Sequence, residues 1–219
     1  EETKTFVEQA NARLLELDQK RVQFLNTATH ELRIPVTIVN GYCTLLRDMG
    51  TENLTEQQRE FLDEAVAGSE RLVDLINNML DLSRLEAGKM VMDIAPRAVG
   101  AVLEEVSRNL RQMAQNSDLE IACDASQECL ALCDEEKVYQ VLTNLVGNAI
   151  KFTPAGGRIR LTLAPGDGEV TVSVEDTGRG IPAERLSDLF EEFTQLGSDD
   201  SRRGSGLGLA ISKRIVESH

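Results

Sequence analysis

The sequence is poor in the side chains that most often build metal and redox sites. Its 219 residues include only four cysteines and two histidines. The cysteines have no CxxC spacing and lie among apolar residues, so we expect reduced, half-buried thiols and no disulfide framework; they are Cys43, Cys123, Cys129 and Cys133. Two histidines without paired cysteines also disfavour a zinc site.

Positive charge and long apolar runs are scarce as well. Lys and Arg number 23 against 37 Asp and Glu, a net charge of -14. Such a chain is repelled by nucleic acid and by anionic membranes, so neither is an expected partner, although a local basic pocket for a nucleotide is compatible with this charge. No apolar run approaches the roughly 20 residues that span a bilayer. The lack of an initiator Met and of a signal-peptide pattern predicts a fragment of a longer protein.

The first part of the chain, residues 1–86, has the period of an α-helix. Apolar or small residues alternate at steps of four and three, which is typical of the seam of a helical bundle; they are Leu62, Val66, Ser69, Val73, Ile76 and Leu80. Gly50 and Asn53 separate this helix from an earlier one, and Thr55 with Gln58 resembles a capping box. Two helices cannot bury so wide an apolar stripe, which favours a dimeric four-helix bundle over a monomeric arm packed on the second domain.

The period changes after "EAGKM". The segments KMVMDI, LEIAC, ECLALC, GRIRLTLAPG and GEVTVSVED read as strands, with helices predicted at 98–116 and 134–151. Without strict alternation of strand and helix, this order indicates an α+β sandwich in which helices cover a mixed sheet. The chain is therefore predicted to be a multi-domain protein of the α plus α/β class.

Three polar clusters in the second part have the chemistry of a nucleotide site. Asn144, Asn148 and Lys151 share one face of a predicted helix, where two amides and an ammonium can ligate a hard cation and neutralise phosphate. Solvated or capping asparagines are the alternative, although asparagine disfavours helix interiors. Asp176 ends a strand before Gly178 and Gly180. Its carboxylate could accept a hydrogen bond from an exocyclic amine, while the glycines let a flat ring approach the backbone. The alternative is an ordinary Asp-x-Gly turn, which has the same pattern.

The third cluster is a glycine-rich loop that leads into an amphipathic helix. Gly204, Gly206 and Gly208 would leave backbone N–H groups free to cradle phosphate, with Arg202 and Arg203 beside them. No strand precedes these glycines, which excludes a Rossmann motif, and the lack of Gly-Lys-Ser/Thr excludes a P-loop.

The order of these clusters, together with "FEEF" at 190–193 and "THELRIP" at 29–35, resembles the histidine kinase family of two-component signalling. The resemblance covers nearly the whole chain. It implies a dimerisation and histidine-phosphotransfer bundle followed by a Bergerat-type ATP-binding domain. The implied bounds are 1–25 for a signal-transmitting helical lead-in, 26–88 for the phosphotransfer hairpin and 89–219 for the ATP-binding domain, which would lack its last strands.

The resemblance also implies roles for individual residues. His30 would accept the phosphoryl group, Asn148 and Asn144 would contact Mg²⁺ and phosphate, and Lys151 would contact phosphate. Phe152 would border the nucleotide, and the Asp176 carboxylate would accept a hydrogen bond from the adenine amine. The remaining implied nucleotide contacts are the glycines of the two glycine boxes, Gly178, Gly180, Gly204, Gly206 and Gly208, and residues 195–205 would form a lid over ATP.

Two residues next to His30 suggest how it would react. A neutral imidazole is a competent nucleophile near pH 7, and the Glu31 carboxylate can reach the ring nitrogen that does not attack, fix the tautomer and accept the proton. Many of these kinases have Thr or Asn four residues after the histidine, thought to orient the water that dephosphorylates the partner regulator. Ile34 stands there and can neither donate nor accept a hydrogen bond, which predicts weak phosphatase activity.

The predicted function is therefore ATP-dependent autophosphorylation of His30 and transfer to an aspartate in the receiver domain of a response regulator. The chain would act as a homodimer, as the cytoplasmic fragment of a bacterial sensor anchored in the inner membrane, without touching the membrane itself. The alternative is a kinase-like regulatory module that forms a heterodimer with another histidine kinase. ATPases of the gyrase and chaperone type are disfavoured, because "THELRIP" on a helical hairpin has no place in them.

Overall fold

The computed structural model describes residues 27–29, 31–47, 54–125, 129–194 and 205–219. The chain forms two compact units, Glu1–Met90 and Val91–His219. The expected helical lead-in at 1–25 and the breakers Gly50 and Asn53 lie outside the described residues. No helix in the described part of the chain is both long enough and apolar enough to cross a bilayer.

The first unit contains a helical run at 31–47, here α1, which residues 27–29 precede in helical conformation, and a long helix α2, Glu56–Glu86. The predicted capping box is confirmed at the start of α2. The Thr55 hydroxyl accepts from the Gln58 N–H at 3.2 Å, and the Gln58 side chain accepts from the Thr55 N–H at 2.9 Å. Arg33 of α1 donates to the Asn77 side chain of α2, which links the two helices.

Helix α2 buries the predicted seam. Val66, Ser69, Ile76 and Leu80 are buried, while Leu62 and Val73 are half-buried. The hairpin still exposes an apolar surface along α1, made of Leu32, Ile34, Ile38, Val39, Tyr42, Leu45 and Leu46. Water-exposed apolar side chains in such number are typical of a surface that another helix covers.

The second unit is an α+β sandwich. Its elements are β1 Ala95–Ala98, α3 Val99–Asn116, β2 Glu120–Asp124, β3 Leu130–Cys133, α4 Glu135–Phe152, β4 Arg158–Pro165, β5 Val170–Asp176, a 3₁₀ turn at Ala183–Arg185 and α5 Gly208–Ser218. Strands β2, β4 and β5 form a mixed sheet in which β4 pairs parallel with β2 and antiparallel with β5. Strands β1 and β3 form a separate antiparallel pair.

The core of this unit lies between the sheet and helices α3 and α4. Leu103, Val106, Val146 and Leu161 are completely shielded from solvent, and Ile159 nearly so. The inward residues of β4 alternate with outward ones, because successive side chains of a strand point to opposite faces. The predicted sandwich with helices over a mixed sheet is therefore confirmed. The cysteines are free thiols, three half-buried and Cys133 buried, as predicted.

One predicted strand is wrong. Residues 89–94, KMVMDI, have no regular structure, and the strand begins at Ala95. The partner strand decides this, since β3 pairs Cys133 with Ala95 and Leu130 with Ala98. Val91, which the apolar pattern placed in a strand, is instead 89% exposed.

The start of α4 is fixed by the buried carboxylate of Asp134. Its Oδ1 accepts from the Lys137 N–H at 3.1 Å, which caps the helix, and its Oδ2 accepts from the Asp93 N–H at 2.9 Å. Desolvation acts to raise the pKa of this carboxyl, but the N–H groups of Asp93, Lys137 and Glu136 and the charge of Lys137 outweigh it and hold the pKa below its usual range. One side chain thereby connects the segment before β1 to the first turn of α4.

Replacing Asp134 by Asn should lower the free energy of unfolding at pH 7 by about 1–2 kcal/mol, because an amide nitrogen would face the Asp93 N–H. A carboxyl whose pKa is lowered by folding stabilises the fold above its unfolded value of about 3.9, and this contribution is lost as pH falls through the folded value. Urea unfolding at pH 7 and pH 3 should therefore show a difference between wild type and Asp134→Asn that shrinks in acid.

The matched control is Asp93→Asn, which keeps the backbone donor and changes a carboxylate whose side chain is 84% exposed. Its effect should stay within about 0.5 kcal/mol at both pH values. A difference for Asp134→Asn that is equal at pH 7 and pH 3 would contradict the assigned role.

Candidate functional site

The surface of α4 that carries Asn144 and Asn148 faces the start of α5. The Asn144 Nδ2 donates to the Ser212 hydroxyl of α5 at 2.9 Å. A Cβ built on Gly208, the first residue of α5, would lie 2.2 Å from the Asn144 Oδ1. Only glycine therefore fits at this crossing, and the structure brings the predicted asparagine cluster and the second glycine cluster together.

Lys151 and Phe152 end α4 beside a second cation. The Lys151 Nζ lies 5.0 Å from the centroid of the Phe152 ring, and the Arg179 Cζ lies 4.9 Å from the same centroid. Desolvation lowers the pKa of Lys151, and the charge of Arg179 lowers it further. Two cations within cation–π distance of one ring favour binding of a negatively charged ligand at this end of α4.

Asp176 and its glycines form a tight turn at the end of β5. The Asp176 Oδ1 accepts from the Gly178 N–H at 2.8 Å. A Cβ on Gly178 would lie 2.7 Å from the Phe152 carbonyl oxygen, and Gly180 has a φ of +67°. The turn thus needs glycine at both positions, at the first for space and at the second for conformation. It also holds Asp176 next to the end of α4.

Gly206 lies in a further close contact. Its φ is +72°, and a Cβ there would lie 2.8 Å from the Phe193 carbonyl carbon. Phe193 belongs to the predicted "FEEF" segment and itself has a φ of +59°. The described part of the glycine-rich loop therefore packs against Phe193. The described residues do not include Gly204, Arg202, Arg203 or most of the predicted lid.

The predicted acceptor His30 also lies outside the described residues. Its neighbour Glu31 is exposed on α1, and Ile34 is 49% exposed one turn further on. Both belong to the first unit, whereas the residues of the asparagine and glycine clusters belong to the second. The roles of His30 and Glu31 therefore stay predictions.

Sequence reasoning missed three residues that shape this surface. Ser212 holds the Asn144 amide, Arg179 lies against Phe152, and Thr177 accepts from the Arg158 N–H at 2.9 Å, which ties the Asp176 turn to the start of β4. Ser212 had a signal, because it is a polar residue one helical turn after Gly208, at a position that an amphipathic helix would bury. Arg179 had none beyond its place between two glycines, and Thr177 had none beyond its place before Gly178.

The side-chain amides of Asn144 and Asn148 supply the oxygen atoms on α4 that could ligate a cation. Among the described residues, no three His, Cys, Asp or Glu side chains come together as a protein-only metal site would require. A cation bound here would therefore be held by amide oxygens together with oxygens of a ligand. Mg²⁺ is commonly bound in this way, by few protein oxygens together with phosphate oxygens and water. A cavity of about 580 Å³ opens elsewhere, between Arg111 at the end of α3 and Arg158 at the start of β4.

Two family models match the chain. The model described as "His Kinase A (phospho-acceptor) domain" matches residues 20–88, and that described as "Histidine kinase-, DNA gyrase B-, and HSP90-like ATPase" matches residues 133–219. The circadian input-output histidine kinase CikA of Synechococcus elongatus is 35% identical over 202 residues, which is 90% of this chain and 27% of CikA. The chain thus spans about a quarter of that relative.

Solved structures agree with these matches. The full-length ShkA in complex with AMPPNP superposes with a TM-score of 0.72 and is 34% identical, over 90% of this chain and 41% of ShkA. The Acinetobacter baumannii histidine kinase AdeS superposes with a TM-score of 0.59 and is 27% identical, over 86% of both chains.

Replacing Gly208 by Ala should lower the free energy of unfolding of the second unit by about 1–3 kcal/mol, the usual cost of overpacking. The added Cβ would meet the Asn144 side chain at 2.2 Å. Gly147→Ala is the matched control, because Gly147 lies inside α4 and nothing lies within 4 Å of its Cβ position. This control should stabilise the unit by about 0.5–1 kcal/mol, since alanine favours helices more than glycine does.

Thermal or urea unfolding of the two variants beside wild type measures both changes. Changes of opposite sign are expected. A Gly208→Ala protein that is as stable as Gly147→Ala would show that the crossing of α4 and α5 is looser than the structure indicates.

Proposed function

We propose that this chain, which belongs to the histidine kinase family, is the catalytic region of a sensor kinase that uses ATP to phosphorylate its own His30. The phosphoryl group would then pass to an aspartate of a response regulator. One observation carries the proposal: a single helix, α4, brings the three clusters together. The start of α5, with Gly208, meets α4 at Asn144, and the Asp176 turn meets α4 at its last residue, Phe152. The match to the phospho-acceptor family model lies earlier in the same chain, at residues 20–88.

The residues present fit ATP with Mg²⁺. The glycines at 178, 206 and 208 let the backbone pack closely on Phe152, Phe193 and Asn144. The first N–H groups of α5 would face the phosphates. Asn148 and Asn144 would hold Mg²⁺ through their amide oxygens, and Lys151 would contact phosphate. When bound, ATP supplies the phosphoryl group, and Mg²⁺ supplies charge neutralisation.

The base of the nucleotide would lie at the Asp176 turn. Asp176 would accept a hydrogen bond from the adenine amine, while Gly178 and Gly180 would let the ring approach the backbone. Phe152 would border the nucleotide, and its contacts with Lys151 and Arg179 would keep two cations beside the phosphates. Gly204 and residues 195–205 would form the lid that excludes water during transfer.

The chemistry at His30 needs positioning more than activation. His30 would attack as a neutral imidazole, and the Glu31 carboxylate would fix the tautomer and accept the proton from the other ring nitrogen. The proposed domains are a lead-in at 1–25, the phosphotransfer hairpin at 26–88 and the ATP-binding domain at 89–219. The lead-in would connect the hairpin to a sensor anchored in the inner membrane.

The exposed apolar surface of α1 supports dimerisation of the hairpin. A second copy would cover the part of this surface from Ile38 to Leu46 and complete a four-helix bundle. The receiver domain of a response regulator would then approach the α1 helices near His30. The alternative, a regulatory module that pairs with another kinase, would use the same apolar surface but need no phosphorylation of His30.

Incubation of the protein with γ-labelled ATP and Mg²⁺ tests the kinase proposal. Acid-labile, alkali-stable label should appear on the wild type and be absent from His30→Gln, because a phosphorylated imidazole is the only such product the proposal allows. Binding of ATP without any labelling would favour the regulatory alternative. Equal label on His30→Gln would place the acceptor elsewhere.

Replacing Ile34 by Thr should raise the rate at which the protein dephosphorylates its phosphorylated regulator by roughly ten- to a hundredfold, because a positioned hydroxyl can orient the attacking water. The wild type should be slow, because the exposed Ile34 side chain has no donor or acceptor.

Ile34→Val is the matched control, since valine has the shape of threonine without the hydroxyl. Loss of label from the regulator is measured with Mg²⁺ for all three proteins. Rapid hydrolysis by the wild type, or equal rates for Thr and Val, would contradict the role given to this position.

A further inference from the structure

The end of α5 carries a histidine that bridges to the start of α4. The Asp134 N–H donates to the His219 Nε2 at 3.0 Å, and the His219 Nδ1 lies 2.8 Å from the Ile215 carbonyl oxygen. The donor, Asp134, is the buried residue whose carboxylate caps α4. One ring therefore joins the last turn of α5 to the residue that fixes the first turn of α4.

These two contacts select one chemical form of the ring. The Nε2 accepts a hydrogen bond, so it carries no proton, and a carbonyl oxygen can only accept, so the Nδ1 carries one. The neutral imidazole with its proton on Nδ1 satisfies both partners. A protonated ring would direct an N–H at the Asp134 N–H and lose the bridge.

The bridge has a counterpart at the other end of α5. There the Asn144 Nδ2 donates to the Ser212 hydroxyl, and Gly208 leaves no gap beside the Asn144 Oδ1. Asn144 follows Asp134 along α4, whereas Ser212 precedes His219 along α5, so the helices are antiparallel and are tied at two points. Two ties fix both the distance and the register of α5 on α4, which one tie would leave free to slide.

We propose that His219 is a positioning residue for the nucleotide site: its neutral ring holds α5 in the register that keeps Gly208 against Asn144. This inference rests on the proposed function, because it concerns the geometry of the proposed ATP site. His219 itself does not touch that site. Its effect reaches the asparagine face through α5.

The helices α4 and α5 and the segment before β1 carry charged groups near the two residues of this bridge in sequence or in contact with Asp134. The carboxylate of Asp134 and those of Asp93 and Glu135 lie on the α4 side, where Arg97 pairs with Asp93 at 3.0 Å and with Glu135 at 3.6 Å. The Lys137 N–H binds the Asp134 carboxylate, and α5 contributes Lys213, Arg214 and Glu217. The Asp134 carboxylate stays ionised in the pH range where an imidazole titrates, because its pKa is lowered. A change in affinity in that range is therefore not caused by titration of this carboxylate.

The experiment uses the chain with His30→Gln, which leaves His219 as its single histidine. Ring ¹⁵N shifts identify the tautomer at pH 7.5, and the affinity for Mg²⁺–ADP is measured from pH 5.5 to 7.5. We expect the Nδ1–H tautomer and an affinity that falls roughly three- to tenfold as the ring gains a proton.

Two variants of His219 in the His30→Gln chain distinguish the hydrogen bond that the ring accepts from the space that it fills. His219→Phe keeps a ring without the acceptor, so we expect weak ADP binding at every pH and no pH step. His219→Gln offers an uncharged acceptor to the Asp134 N–H, so we expect partial recovery of affinity, again without a pH step. An unchanged affinity in His219→Phe, or a pH step that persists in it, would overturn the proposal.

A readout that needs no nucleotide keeps this inference separate from the proposed function. The backbone amide signals of Gly208 and Asp134 should shift together as the ring is protonated, and both shifts should be absent in His219→Phe. If the parent chain binds no ADP at any pH but these amides respond together, the proposed function fails while the positioning role stands. If ADP binds and Gly208 does not respond, the positioning role fails.

Discussion

The second unit depends on how helix α4 is held. Its apolar face packs on the sheet through Val146 and its neighbours, which are shielded from water. Its first turn is capped by the buried Asp134 carboxylate, and its opposite face meets α5 at a crossing where only glycine fits. Because the asparagine face and the end carrying Lys151 and Phe152 belong to this one rigid helix, each of these contacts sets the position of the proposed ATP-binding groups.

Much of the fold follows from pattern alone. The four-and-three spacing from Leu62 to Leu80 predicts the buried side of α2, and the alternation around Ile159 and Leu161 predicts a strand with one buried face, because period and burial are directly coupled in regular structure. The strand placed at 89–94 was wrong for the complementary reason. Short apolar segments carry no information about their partner, and pairing with β3 selected Ala95–Ala98 instead.

The candidate site divides in the same way. Asn144, Gly178 and Gly208 can be identified from the sequence, because each is a residue type that is costly or unusual where it stands. Ser212 has a weaker signal, as a polar residue on the buried face of an amphipathic helix. Arg179 and His219 have none. Their importance comes from a distance of 4.9 Å to the Phe152 ring centroid and of 3.0 Å to the Asp134 nitrogen. Tertiary hydrogen bonds between distant residues leave no periodic trace.

The groups that would touch ATP are constrained by the chemistry of phosphate, Mg²⁺ and adenine, so they leave little freedom. The groups that hold α4 and α5 together are constrained only by geometry. Position 34 on α1 would have similar freedom, because an apolar side chain there would leave phosphorylation of His30 intact. It would remove only a hydrogen bond that orients water for hydrolysis of the phosphorylated regulator. The balance between kinase and phosphatase, and the response to pH, would therefore be set by residues outside the ATP site, and at small cost to the reaction itself.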